Sequence, residues 1–407
     1  MIEHAKRLMP EVDQWVTPWR LKWYPRVVLI ALSVGTIFGV LYGKGLNTLT
    51  GRLGADYPAF YGAGRIIAQG DWNELYSAKR QVLAQEDLIP GDSGYLCFAY
   101  PPFVALLYWP FSLLEYRLSY TLHTLLMVGA LLLTLHLVRP MIKEVDQHYL
   151  CAFTLTLLFY PIFRSVLGGQ NTAITLLIIA LTWRAVTNGH EYLGGALLGL
   201  LLFKPQFALP LIGVFVLSGR CRVGLGSVFT AAILYGIGVW MQGPNWVTTW
   251  FKFGQWFSHA DASVNSNNAV SWLGFFQAFF DVGSKTALIL GWGMTLGTVV
   301  GLSWIWWAGG PRADLTSQIG LASVCLVLIP PHTMYYDMGL LFFTYAALIV
   351  KKEKGRILLI GTVWLLGFSQ IISGLIGFSP LFFLVVFTWI LGIRFLALST
   401  LKPQSIR

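Results

Sequence analysis

The chain has 407 residues, 56% of them hydrophobic and only 11% charged, and carries a formal net charge of +10. A soluble domain holds about 25% charged residues, so the composition excludes an ordinary soluble enzyme and indicates one polytopic membrane domain over 1–407. The basic residues are scattered over short loops, which fits a positive-inside bias and not a nucleic-acid patch, and Cys97, Cys151, Cys221 and Cys325 show neither disulfide nor zinc spacing.

The first apolar run, 27–43, follows a lead containing Lys6, Arg7, Arg20, Lys22 and Arg26, and reads as an anchored helix with a cytoplasmic start rather than a cleaved signal. A large first extracytoplasmic loop, 45–100, comes next. It is expected to carry two interfacial helices, 59–69 and 72–85. Further apolar runs lie at 117–138, 149–163, 171–187, 193–203, 207–218, 223–241, 285–308, 315–329, 338–350, 356–374 and 381–398, each reaching or approaching the ~30 Å hydrocarbon thickness. Runs 193–203 and 207–218 read equally as one helix broken at Pro205. Basic loops at 139–148 (with Lys143), 184–191, 219–222, 309–314 and 351–356 are placed inside, with the tail bearing Lys402 and Arg407. The pattern is consistent only if 101–114 and 269–282 do not cross. It gives about twelve crossings with both termini cytoplasmic. A second large outer loop is expected at 242–268.

On that assignment nearly every polar cluster falls on the outer side. Irregular backbone at membrane depth is tolerated where it lines a cavity, so one face is expected to hold a polar cavity. Asp56, in GADYPAFYGAGR, is either the N-cap of the helix that follows or a general base at the cavity roof. Tyr57 and Tyr61 can stack on a sugar or anchor the interface, and Tyr100 opens the sequence YPPF. Arg164 lies one turn before Gly168-Gly169-Gln170-Asn171, a turn in which Asn171 caps the next helix or the glycines admit a phosphate. Lys204 in FKPQF either snorkels or binds an anion, with Gln206 beside it to contact a hydroxyl. Asn267 and Asn268 sit in an amide-rich stretch suited to hydroxyls or to a flexible loop. His332 and Asp337 belong to PHTMYYD, an interfacial belt or a phosphate and acid–base element. There is no Walker A, HExxH, GxSxG or DxD motif, and no chain of buried charge pairs is visible in the crossings. No metal or cofactor is expected.

The ordered set DYPAFYGAG, YPPF, GGQNT, KPQ and PHTMYYD resembles glycosyltransferase family 87, bacterial membrane enzymes of the GT-C superfamily. The resemblance implies an all-α GT-C fold with its active site under the first large outer loop. It also implies a polyprenyl-phosphate sugar donor, most often mannose, transferred with inversion to a lipid-linked or glycan acceptor. Asp56 would be the base, in an enzyme of the bacterial inner membrane. Lys204, Arg164 and His332 lie on the right face to steady a leaving phosphate. Tyr57, Tyr61, Tyr100, Gln170, Asn171, Gln206, Asn267, Asn268 and Asp337 are candidates to contact sugar or acceptor. A transporter or flippase of a lipid-linked saccharide is the alternative, and it would not need Asp56 for bond formation.

Overall fold

The computed structural model describes residues 17–42, 53–88, 95–351 and 356–401. Lys6, Arg7, Lys402 and Arg407, expected as topology signals, lie outside the described residues, as do parts of the 45–100 loop. The described residues form helices and connecting turns with no strand. One isolated β-bridge pairs Ala269 with Met334.

Five helices are long and apolar enough to cross a membrane: Pro18–Tyr42, Tyr116–Met141, Cys221–Gln242, Lys285–Gly309 and Leu381–Leu401. A sixth span exists if Tyr149–Leu158 and Tyr160–Leu167, which meet at 74°, count as one. The expected twelve are therefore not seen as twelve full-length spans. The remaining apolar helices are short: Leu315–Leu328 has 14 residues, about 21 Å at ~1.5 Å per residue. The two segments expected not to cross hold the helices Pro102–Ser112 and Trp272–Phe280, each well short of a bilayer core.

Burial sorts these helices. Pro18–Tyr42 is apolar all round and buries only Pro25, so it stands at the rim. Arg117 donates to the carbonyls of Val40 and Leu41 at 2.9 and 2.7 Å, satisfying acceptors at its C-terminal end. Leu315–Leu328 is the opposite case, with every residue from Ser317 to Leu328 buried. Glu191–Leu200 and Cys221–Gln242 pack backbone to backbone. A Cβ on Gly195 would lie 2.0 Å from the Val223 carbonyl oxygen. Ser227 and Thr230 donate across the contact to the carbonyls of Gly195 and Ala196, the small-residue packing expected where lipid offers no hydrophobic drive.

Two of the expected outer loops are helical. Residues 242–268 contain a 20-residue helix, Trp246–Asn265, whose aromatic side chains include Trp250, which donates to the Ala99 carbonyl at 2.9 Å. Tyr57–Ala68 is not interfacial: nearly all its residues are buried. Its small residues explain this, since a Cβ on Gly64 would sit 2.5 Å from the Tyr108 carbonyl oxygen. The 72–85 stretch divides into a short turn of helix, Trp72–Glu74, and Ala78–Gln85.

The basic turns meet one another. Arg220 is buried, donating to Gln318 Oε1 at 2.8 Å and the Pro311 carbonyl at 3.0 Å. Lys351 pairs with Asp314 at 2.8 Å. The turns at 219–222, 309–314 and 351 thus form one end of the fold, while the polar motifs gather elsewhere.

Candidate active site

Asp56 closes a tight turn. Gly54 and Ala55 both have positive φ, +86° and +42°, and for alanine that conformation is strained. Tyr116 donates to the Leu53 carbonyl at 2.6 Å and the Tyr57 amide to that of Gly54 at 2.7 Å. Asp56 occupies the N-cap position of Tyr57–Ala68 with no side-chain cap bond. Its carboxylate turns instead to Gln170, whose Nε2 donates to Oδ2 at 2.5 Å.

That bond depends on a second turn pressed against the first. The Asp56 amide donates to the Gly168 carbonyl at 3.1 Å. Gly169 has φ +72°, and a Cβ there would lie 2.5 Å from Tyr57 Cβ and 2.8 Å from the Gly54 carbonyl oxygen. Only glycine meets both demands. The 74° bend near Pro161 brings the Tyr160–Leu167 helix and this turn inward.

Around Asp56 the field is mixed. Burial pushes its carboxyl above the usual range. The Gln170 hydrogen bond opposes this, the charge of Asp261 adds to it, and Arg164 and His332 oppose it more weakly. Arg164 is exposed and has no carboxylate partner among the described residues; its Nε donates to Tyr335 Oη at 3.4 Å. His332 Nδ1 lies 3.4 Å from Asp261 Oδ2, and the His332 imidazole meets the Phe257 ring edge-on. Asn265 donates to the other Asp261 oxygen at 2.7 Å.

Lys204 and Asp337 form a separate pair at 2.8 Å, both buried. Asp337 also accepts from the Met334 amide at 3.4 Å. Among the described residues it is a single buried pair and not a chain of them, and because its members lie 133 residues apart no local pattern shows it. Tyr100 links the two carboxylate regions: its hydroxyl is 3.5 Å from Asn171 Oδ1, and it feels the charges of Lys204, Asp337 and Asp56. Asn171 uses its side chain here and does not cap the following helix.

Other candidates are not brought together with Asp56. Tyr57 is fully buried among Tyr61, Tyr108, Tyr116, Tyr120 and His123, with its hydroxyl 2.6 Å from Ser119 Oγ. Tyr61 is buried too and donates to the Leu114 carbonyl at 2.7 Å. Neither ring is open to a sugar, because the helix that carries them is a core helix. Asn268 accepts from Gln370 at 3.0 Å, and Asn267 accepts from the same amide through its carbonyl, so both lean toward the C-terminal helices. Gln206 is part-buried and makes no hydrogen bond to the described residues.

Asp261 was not foreseen among the site residues. Its signal was the spacing Asp261–Asn265 within what is a continuous helix, hidden when 242–268 is read as a loop. A cavity of about 630 Å³ opens beside this carboxylate, with Asp261 and His332 in its lining.

The described residues are those of a polytopic helical membrane protein with a part-buried carboxylate, Asp56, at the junction of two turns. The glycosyltransferase family 87 profile matches residues 98–331, more than half of the chain, and the chain belongs to that family. The family makes it a glycosyltransferase. The match takes in Arg164, Gln170, Lys204 and Asp261, and does not reach Asp56, His332 or Asp337. No curated protein and no solved structure matches the chain.

Proposed function

We propose that the protein is an inverting GT-C enzyme that moves a sugar, mannose, from a polyprenyl-phosphate donor to a lipid-linked or glycan acceptor. Transfer takes place on the extracytoplasmic face of the bacterial plasma membrane, both termini are cytoplasmic, and no metal or cofactor takes part. The observation that carries this reading is the state of Asp56: a part-buried carboxylate oriented by a neutral amide and left without an ion-pair partner among the described residues.

The chemistry is a single displacement. The acceptor hydroxyl forms the new bond to the anomeric carbon as the bond to the phosphate oxygen breaks. Asp56 takes the hydroxyl proton, and the electron pair leaves with the phosphate. Burial raises the carboxylate's basicity, and Gln170 fixes which oxygen faces the proton. Arg164, exposed and unpaired with any described carboxylate, supplies positive charge for the leaving phosphate, and His332 adds to it when protonated. Lys204 joins them as a fixed dipole with Asp337, so the net cation is Arg164. Tyr100, Asn171 and Gln206 remain as polar contacts for the substrates.

A carrier of lipid-linked saccharides finds support in the buried Lys204–Asp337 pair, since intramembrane charges often mark transport paths. The test separates the two. Purified protein in lipid discs receives radiolabelled polyprenyl-phosphate mannose and a total lipid extract, with Asp56→Asn alongside. Label in a new lipid with the wild type alone supports the enzyme. Equal transfer by both removes Asp56 as base. Transfer by neither turns attention to a flipping assay.

A further inference from the structure

One turn of the Tyr116–Met141 span touches both turns of the candidate site. Tyr116, Ser119 and Tyr120 stand at i, i+3 and i+4, so they share one helix face. Tyr116 Oη donates to the Leu53 carbonyl at 2.6 Å, at the start of the turn that carries Asp56. Ser119 Oγ lies 2.6 Å from the hydroxyl of Tyr57, the residue after Asp56. Tyr120 Oη donates to the Leu167 carbonyl at 2.8 Å, at the start of the turn that carries Gln170. The same two tyrosines back the first turn directly: a Cβ on Gly54 would lie 3.0 Å from Tyr116 Oη and 3.0 Å from Tyr120 Cδ2.

This face is firm at its source, and the groups it holds need an outside partner. Glu115 caps the helix, its side chain accepting from the Leu118 amide at 3.1 Å. Leu167 ends the Tyr160–Leu167 helix, where carbonyls lack a partner within the helix. Ala55 holds a positive φ of +42°, a conformation that persists only where surrounding groups impose it. Tyrosine suits the task, because a rigid ring on two side-chain torsions carries its hydroxyl to a fixed reach. Between the two turns, the Asp56 amide donates to the Gly168 carbonyl at 3.1 Å and Gln170 Nε2 to Asp56 Oδ2 at 2.5 Å. Both bonds therefore span a gap whose two sides are hung from the same helical turn.

We infer that Tyr116 and Tyr120 are positioning residues for the Asp56–Gln170 pair: their hydroxyls, one helical turn apart, set the spacing of the two turns and so the reach of the Gln170 amide to the carboxylate. Their catalytic meaning rests on Asp56 as the base proposed above, but the pair can be read without turnover. In lipid discs, infrared difference spectra across a pH titration follow the C=O stretch of protonated Asp56, assigned by its loss in Asp56→Asn. Gln170 favours the ionised carboxylate, so Gln170→Leu moves the midpoint up. Tyr116→Phe and Tyr120→Phe each remove one hydroxyl and are expected to move it the same way, by about half to one pH unit. The charged neighbours that act on Asp56, namely Asp261, Arg164 and His332, stay in place in these variants. Added to Gln170→Leu, Tyr120→Phe should give no further shift, because the hold acts through that amide. Tyr345→Phe breaks a buried bond to Thr388 and should leave the midpoint alone, even where it lowers the melting temperature as much. In the transfer assay, Tyr120→Phe should lower kcat about tenfold with KM little changed. An unmoved midpoint in both tyrosine variants overturns the inference, as does a shift that adds in full to that of Gln170→Leu. A shift matched by Tyr345→Phe overturns it too, since general loosening would then suffice. If the midpoints move as expected and transfer survives Asp56→Asn, the hold on the pair stands and the base reading alone fails.

Discussion

Asp56, part-buried, and Asp337, buried, are two aspartates of the same fold with opposite surroundings. Asp337 faces an ammonium at 2.8 Å and a backbone amide, so its charge is cancelled where it is made. Asp56 faces only an amide directly, with the charge of Asp261 opposing those of Arg164 and His332. The first arrangement holds two segments together. The second leaves a carboxylate that gains by accepting a proton. What separates the two is a close counter-charge, which Asp337 has and Asp56 lacks among the described residues.

Several changes break or sharpen that contrast. Asp56→Asn is expected to lower sugar transfer by about 10²–10⁴, the range for a general base, with the melting temperature in detergent unchanged or slightly raised, since a costly buried charge is gone. A parallel loss of folding would instead make Asp56 structural. Lys204→Met, which leaves Asp337 alone in the interior, is expected to cost about 3–5 kcal/mol of stability, read as a fall in the detergent melting temperature. The double variant Lys204→Met/Asp337→Leu should recover most of it, because the pair mainly cancels itself. Gly169→Ala forces a Cβ into the facing turn at a positive φ and is expected to cost ~1–3 kcal/mol of local strain, with kcat falling more than KM as the Gln170 amide is displaced. The smallest effect is a pH shift. With Asp56 as the proposed base, catalysis needs it ionised, so activity should fall as pH drops through its raised pKa, on a limb above the ordinary carboxylate range. Gln170→Leu removes a bond that favours the ionised form, so that limb should move to higher pH. Asp261→Asn removes a negative neighbour, so it should move lower.

Much of this was legible in the sequence, but unevenly. GADY and GGQN each announced a turn, because glycine beside a polar residue is a local signal; that the two turns face each other was not. Lys204 was visible as an out-of-place cation, yet its partner lies 133 residues on, so a free anion site and a closed ion pair read alike. Tyr57 and Tyr61 looked available because the stretch read as an interfacial helix of an outer loop. The small residues Gly62 and Gly64 just after them were the better guide, since close helix packing needs them. The count of twelve crossings set 101–114 and 269–282 aside and took the other apolar runs as spans, whereas several of those are short helices. The family resemblance, by contrast, was carried by motifs in order along the chain and did not depend on the number of spans.

The sheathed Leu315–Leu328 helix has a consequence for how this enzyme meets its membrane. At about 21 Å, it is shorter than the hydrocarbon layer, but it is surrounded by protein along its length and never has to match lipid. Hydrophobic mismatch then falls on the long outer helices, which adjust by tilting at modest cost. Bilayers of different thickness should be absorbed at the rim, leaving the registration of Asp56 with Gln170 and of Lys204 with Asp337 the same in each.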